Sequence, residues 1–526
     1  MRLKLILSLT GTILAFFGLN FLFPIIVGIY MGEDSLDIFW MFGAPMIASM
    51  SIGVFLHYYF HSEEDIRNRE AFLLVTVAWI LMVVVGALPF IASEKLALMS
   101  YEIGIAGAIF ESMSGLSTTG ATVLDLESST PPVNASQYNQ GYFDAPKSLL
   151  LWRSQTQWLG GMGIIVLATI IFSRLFGGGI QVLQAEMPGT GITRLKPQMA
   201  QTARLLWSLY LIMTVIEVSL LAIFSDMPLY DAICNSFSTV STGGFSPQRE
   251  SIGSYDSSFV IVVVTFFMLI SGINFVILYY VFNNLIDFSK SFSERIKLSF
   301  KALRENEELN FYLYLVLFSF TLIFVNLILD KNNISSIFYN FIHASFQTVS
   351  LLTGTGFTTT NYMDWPKMSI FVLLLFMFAG GCAGSTTGGI KIVRIMLLFK
   401  ALKRELILVI HPRAVMKLRI GDKVLDEDLF RNVGVFFFIF VILFLLGSLV
   451  TLYLEGNNPN VGVIDGISIS LSCLANIGPG IGAIGPTGTY SAFGDSTLLF
   501  LSALMMLGRL EIITVLLLFY PDTYRD

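Results

Sequence analysis

The sequence predicts an all-α polytopic membrane protein, and three features carry that expectation: its composition, the length of its apolar runs and a fourfold internal repeat. Of 526 residues, 55% are hydrophobic and only 13% charged, with a mean hydropathy of +0.74. A water-soluble chain of this size needs a far more charged surface. The aromatic share of 13% suits membrane-interface belts as well as packed helices. The formal net charge of −6 says less than where the charges lie.

Ten stretches approach the ~20 apolar residues that a hydrocarbon core requires. They lie near residues 5–30, 37–61, 71–93, 148–174, 203–225, 257–287, 311–330, 367–400, 431–454 and 496–520. The first is too long for a signal-peptide core and long enough to span. Four shorter segments, ending near 120, 244, 356 and 478, are rich in Ser, Thr and Gly and are too short and polar to cross. Lys and Arg set the orientation. The connection 391–431 holds ten of them and 289–305 holds five, whereas 92–147 has two basic and six acidic residues. The basic connections and both termini are therefore expected in the cytoplasm, with all four short segments on the outer side.

Aligned without gaps on Gly120, Gly244, Gly356 and Gly478, the short segments share three columns. Twelve residues upstream stand the small Ala108, Ala232, Ala344 and Gly466; eight upstream the hydroxylated Ser112, Ser236, Thr348 and Ser470; four upstream the apolar Leu116, Val240, Leu352 and Leu474. Steps of four follow one helical stripe. Each segment reads as a helix of about three turns, ~18 Å at 1.5 Å per residue, which reaches halfway through a ~30 Å core. The expected division is two extra N-terminal spans (1–65), then helix–pore loop–helix units at 66–176, 177–290, 291–405 and 406–526, the third holding a glycine-rich intramembrane loop. An ordinary Gly/Ser/Thr-rich connection explains any one of these loops; four in register on one side argue for a shared pore.

Non-helical backbone at membrane depth is tolerated where it is buried in protein or lines a watery path. Four converging loops can present carbonyls that replace a cation's hydration shell, with each short helix aiming its partly negative C-terminus at the same point. The candidate filter residues are Thr118, Thr119 and Gly120; Thr242, Gly243 and Gly244; Gly354, Thr355 and Gly356; and Asn476, Ile477 and Gly478. None is charged, so selectivity falls to carbonyl dipoles, and a weakly hydrated cation such as potassium fits best. Below them, the run at 367–400 is interrupted by Ala379-Gly380-Gly381-Cys382-Ala383-Gly384-Ser385-Thr386-Thr387-Gly388-Gly389. Glycines at up to about 1 kcal/mol each relative to Ala do not hold an uninterrupted helix. The expected gate is therefore Gly380, Gly381, Gly384, Ser385, Thr386, Thr387, Gly388 and Gly389, with a simple packed bend as the alternative. Arg509 is read as mid-span, where a charge costs about 2.5–3.5 kcal/mol. Glu511, two residues on, points to another face. A structural arginine tied to carbonyls is the alternative to a gating one. For Glu217, Arg153, Gln157 and Asn274, helix–helix hydrogen bonds or snorkelling outweigh a transport role.

Other signals are weaker. Cys234, Cys382 and Cys473 form an odd set in apolar or glycine-rich stretches and give no disulfide framework. Gly480-Ile481-Gly482-Ala483-Ile484-Gly485 matches a dinucleotide fingerprint but has no preceding strand. His57, His61, His343 and His411 have no metal spacing, and no nucleophile–base pair marks an enzyme. Asn134-Ala135-Ser136 and Asn333-Ile334-Ser335 are sequons. A transporter with inverted repeats predicts opposed units, against the orientation that the basic connections give.

With these motifs in place, the chain resembles the Trk/Ktr/HKT superfamily of potassium transport proteins over essentially its whole length. Two extra N-terminal spans, Ala185-Glu186-Met187-Pro188, Lys196-Pro197 and Thr202-Ala203 resemble the TrkH branch. The resemblance implies potassium uptake across the inner membrane, with the four filter glycines falling on Gly120, Gly244, Gly356 and Gly478. It also implies a gate made by the glycine-rich loop and Arg509, a homodimer, and a cytosolic nucleotide-binding ring of the TrkA kind as partner, for which the basic connections 289–305 and 391–431 are the expected docking segments. The transported potassium ion is the only small species implied, with no organic cofactor in this chain. Glycine rather than serine at Gly120 favours potassium over sodium. Pro479 after the fourth glycine departs from the other loops, within an Asn-x-Gly-Pro-Gly run that TrkH-like chains share. A proton- or sodium-coupled symporter of the same superfamily, or a sodium-selective member, is the alternative.

Overall fold

The structure, a computed structural model, describes residues 2–61, 68–99, 101–124, 141–175, 199–287, 289–330, 335–414, 416, 419–421, 423–424, 427–459 and 461–521. Residues 185–188, 196–197 and 134–136, and Asn333-Ile334 of the second sequon, lie outside the described residues, as does the boundary expected between the first and second units.

The architecture is all-α apart from a two-stranded antiparallel hairpin, Arg419–Ile420 with Lys423–Val424. The N-terminal pair comprises α1 (Leu3–Leu19) with α2 (Leu22–Met31), then α3 (Ser35–Ile38) leading through a π turn into α4 (Ala44–Tyr59). The pair packs through small residues, with Gly11 and Gly53 so close that a Cβ on either would strike the other's carbonyl at about 2.5 Å. The first unit contains α5 (Asn68–Lys95), α6 (Gly104–Leu116) and α7 (Lys147–Leu175), and the second contains α8 (Met199–Phe224), α9 (Leu229–Val240), α10 (Ser258–Ser271) and α11 (Phe275–Ile286). After α12 (Phe292–Arg304) come α13 (Glu307–Leu329), α14 (Ile337–Leu352), α15 (Lys367–Phe376) and α16 (Ile392–Ile410). The fourth unit has α17 (Glu427–Leu454), α18 (Val463–Ala475), α19 (Asp495–Arg509) and α20 (Ile513–Leu516).

Six of the ten expected crossings are helices long and apolar enough to span: 3–31, 35–59, 70–95, 204–224, 307–329 and 430–454. The helix over 147–175 is continuous but carries Arg153, Gln155 and Gln157. The other three expected crossings are broken. The run 257–287 is not one helix: α10 and α11 meet at 110°. The Gly272 carbonyl at the corner accepts from the Cys382 amide at 2.9 Å, and Asn274 caps the new helix by accepting from the Val276 amide at 2.8 Å. The run 367–400 breaks at the glycine-rich segment, and 496–520 breaks after Arg509, where Glu511 and Ile512 take φ of 60° and 36°.

All four short segments are helices, α6, α9, α14 and α18, whose column residues are buried. In the first and fourth units the hydroxyl column bonds the unit's first helix: Ser112 donates to the Val83 carbonyl at 2.8 Å and Ser470 to the Phe444 carbonyl at 3.0 Å, whereas the Ser236 and Thr348 hydroxyls make no such bond among the described residues. Gly86 and Gly447, one turn further on, leave room for those hydroxyls, since a Cβ there would collide with Ser112 and Ser470 respectively.

Candidate ion-conduction site

The four short helices end in one repeated pattern. The amides of Thr118, Thr242, Gly354 and Asn476 donate to the carbonyls of Gly115, Thr239, Leu351 and Cys473 at 2.9–3.3 Å. One residue later, Thr119, Gly243, Thr355 and Ile477 donate to Ser114, Ser238, Ser350 and Ser472 at 2.8–3.0 Å. This paired closure of a helix C-terminus needs a left-handed residue just past the end. Thr118, Thr242, Gly354 and Asn476 supply it with φ of 53°, 54°, 69° and 55°. Threonine in that region is strained by an order of 1–3 kcal/mol, yet two loops place one there.

Two residues on, Gly120, Gly244, Gly356 and Gly478 again have positive φ, 82°, 81°, 79° and 95°. A Cβ on Gly120 would strike the Gly243 carbonyl, on Gly244 that of Thr355, on Gly356 that of Ile477, and on Gly478 that of Thr119. Each loop abuts the next, and the fourth returns to the first. The loops form a closed ring, and its contacts are main-chain oxygens against glycine. Above the ring an open cavity is lined by all four glycines together with Arg153, Arg249 and Tyr490.

Side chains behind the ring hold the loops. Gln157 of α7 grips the second loop at two points, donating to the Gly243 carbonyl at 2.6 Å and accepting from the Phe245 amide at 3.0 Å. Arg153, one turn earlier, forms a buried ion pair with Glu111 of α6 and donates to the Ser246 carbonyl at 3.0 Å. Glu111 also accepts from the Val123 amide at 2.9 Å. Arg153 and Gln157 are thus clamps on the loops, while Asn274 is a helix cap and Glu217 is fully buried beside Thr239, its carboxyl oxygens making no hydrogen bond of normal geometry among the described residues.

The glycine-rich segment lies against the loops' inner ends. It folds back on itself, with Gly380 donating to the Ile390 carbonyl at 2.9 Å and Ile390 to Phe378 at 3.1 Å. The Thr386 hydroxyl meets the Thr242 hydroxyl at 3.3 Å and donates to the Val240 and Ser271 carbonyls at 3.2 and 3.3 Å. A Cβ on Gly388 would strike the Ala475 carbonyl at the end of α18. Inside the fold, Thr387 accepts from the Gly381 amide and pairs with Ser385, both at 2.8 Å, and Gly384 and Gly389 adopt φ of 71° and 67°.

Two cations cap this segment. Arg509 Nη1 donates to the Thr386 carbonyl at 2.8 Å and Nη2 to Gly160 at 3.3 Å. Lys391 Nζ donates to the Thr387 carbonyl at 2.6 Å. Arg509 is the last residue of α19 rather than mid-span, because the chain turns there and sends Glu511 to Arg394 at 2.6 Å. Glu308 of α13 accepts from the Ala383 and Val393 amides at 2.7 and 3.2 Å, clasping both ends of the segment.

Glu111, Glu308 and Lys391 were not singled out in the sequence, nor was a fourth column: the residue six before each glycine is Ser114, Ser238, Ser350 and Ser472. Ser350 donates to the Phe357 carbonyl at 2.7 Å and Ser472 to that of Gly478 at 2.6 Å. The unbroken serine is the signal, and it lies off the four-residue stripe that the other three columns follow.

The family model described as TrkH, cation transport protein, matches residues 41–524. The chain belongs to the TrkH family. It is 34% identical over 530 residues to the Trk system potassium uptake proteins TrkH of Salmonella typhimurium and of Escherichia coli K12, covering all of both chains in each case. It is similar to the crystal structure of the potassium transporter TrkH from Vibrio parahaemolyticus, with a TM-score of 0.83 and 30% identity over the full length of both. These relatives are transport proteins, not enzymes, and the family's architecture of four pseudo-symmetric units with two extra N-terminal helices is the fold of this chain.

Proposed function

We propose that the chain takes up potassium ions across the cytoplasmic membrane through a filter of main-chain carbonyls at Thr118–Gly120, Thr242–Gly244, Gly354–Gly356 and Asn476–Gly478. The observation that carries this reading is the closed ring of glycine–carbonyl contacts with the same pair of positive-φ residues in every loop. Uncharged oxygens at fixed spacing favour a cation that sheds water easily. The gate is the segment 380–389, held shut by Arg509. It crosses beneath the second and fourth loops and is pinned by hydrogen bonds to main-chain oxygens. Both termini and the basic connections face the cytoplasm. The connection 391–431 receives a nucleotide-binding ring of the TrkA kind, and the membrane subunit is a homodimer; charge reversal there should abolish capture of the ring.

The test is ion selectivity of the purified protein in proteoliposomes. Reversal potentials should follow the potassium gradient; equal permeability to sodium would remove the filter assignment. Glu217, a fully buried carboxyl, favours a second reading as a proton-coupled symporter. In that case the reversal potential moves with a pH gradient and the Glu217→Gln variant loses the movement.

A further inference from the structure

We propose that α12 (Phe292–Arg304) is a docking surface for anionic lipid headgroups at the inner face of the membrane, and that this contact holds α11 against the glycine-rich segment. The inference rests on the orientation and the gate given above. Because α11 turns 110° from α10, it does not continue that helix through the bilayer; α11 and α12 form a hairpin joined to the following span by Glu305 and Asn306. One face of α12 is committed to this hairpin, with Arg295 donating to the Leu285 carbonyl at 3.0 Å and Ser299 to Val281 at 3.5 Å.

A second face is not. Phe292, Ile296 and Phe300 stand at steps of four, so they form one stripe, and they are 68%, 46% and 66% exposed. On the helical wheel Lys297, Lys301 and Arg304 come next. Lys297 and Arg304 have no ion-pair partner among the described residues, and Lys301 only leans toward Glu305 at 3.7 Å. The acid of the first turn, Glu294, lies opposite the apolar stripe and serves the cap of Ser291. An apolar stripe bordered by bases is how a helix lies in a headgroup layer, rings toward the acyl chains and bases on phosphate. Bases near an anionic surface are drawn to it. A cytosolic protein would meet the same bases, but the three large apolar groups beside them favour lipid.

The hairpin reaches the gate through one main-chain bond. The Phe275 amide at the start of α11 donates to the Gly384 carbonyl at 3.2 Å, and Asn274 packs against Gly384. Lipid that fixes α12 therefore fixes the support on which that segment rests.

The three native cysteines are buried, so a spin label on the full-length Ile296→Cys protein reports on this stripe. The protein is reconstituted in phosphatidylcholine vesicles with and without an equal share of phosphatidylglycerol. With phosphatidylglycerol present, the label should collide with oxygen and be shielded from a water-soluble nickel chelate. Adding Lys297→Gln, Lys301→Gln and Arg304→Gln should return it toward the chelate. A label equally open to nickel in both vesicles overturns the proposal, as does one shielded only after the cytosolic partner is added. This depth measurement needs no transport, so it fails or succeeds independently of the gate. Potassium flux should then differ several-fold between the two vesicle types in an otherwise unmodified protein and not in the triple variant; equal flux overturns the link to the gate.

Discussion

Arg509 and Thr386, 123 residues apart, are joined by a hydrogen bond of 2.8 Å from the guanidinium to the main-chain carbonyl. The bond ties the end of α19 to the middle of the segment that lies under the loops. A hydrogen bond from a charged donor contributes about 1.5–3 kcal/mol. If the segment must leave for ions to pass, Arg509→Ala should raise the open fraction by roughly tenfold to a hundredfold. Rubidium uptake into proteoliposomes reads this directly, and a well-folded Arg509→Ala protein with unaltered uptake would leave the arginine a structural role.

Lys391 caps the neighbouring carbonyl, that of Thr387, at 2.6 Å. Lys391→Met should act in the same direction as Arg509→Ala. Since both bonds hold adjacent peptides of one loop, the double variant should open less than the product of the two single effects. A strictly multiplicative double variant means that the cations hold separate elements.

The repeat was legible because its columns follow helical geometry: Ser112 and Ser470 sit where steps of four put them and bond equivalent helices. The positions of the loops followed from that. What the sequence hid was every partnership between units. Gln157 of the first unit and Gly243 of the second are 86 residues apart, and even within the first unit Arg153 and Glu111 are 42 apart; such distances close only in the folded chain. The corner at Gly272 was hidden for another reason. The run 257–287 is apolar enough on average to read as one span despite Ser271, Gly272 and Asn274, and hydropathy carries no direction; the turn accompanies an outside bond, from the Cys382 amide to the Gly272 carbonyl.

Gly244 has φ of +81°, and a Cβ there would strike the Thr355 carbonyl. Gly244→Ala must either push the second and third loops apart or leave the left-handed region. Potassium over sodium selectivity should fall, with a lower melting temperature. Gly163→Ala is the control, because nothing lies within 4 Å of its added carbon. Matching selectivity in the two variants would show that the ring does not depend on glycine.

The serine column offers a comparison inside one molecule. Ser472 holds the Gly478 carbonyl at 2.6 Å, whereas the Ser114 hydroxyl has no hydrogen-bond partner among the described residues. Ser472→Ala removes a bond that contributes about 1 kcal/mol and leaves the Gly478 carbonyl of the fourth loop held by the Tyr490 hydroxyl alone, at 3.1 Å. Ser114→Ala removes none. The first should lower both thermal stability and selectivity, the second neither; equal effects would mean that the column acts through packing alone.

Glu111 and Arg153 are the most demanding case, because both are buried, 0% and 3% exposed, and each also holds backbone of a different loop. Removing one partner of a buried pair costs about 3–5 kcal/mol, since the other charge is stranded, whereas replacing both with neutral groups of similar size often costs little. Glu111→Gln alone should therefore lower the melting temperature sharply, and adding Arg153→Met should recover much of it. Selectivity should not recover, because Ser246 loses its donor in the double variant and Arg153 no longer stacks on the Phe245 ring, 3.8 Å from its centroid. Thermal unfolding and potassium/sodium permeability measured on the same three proteins separate the two roles. If stability and selectivity return together, the pair is only a scaffold.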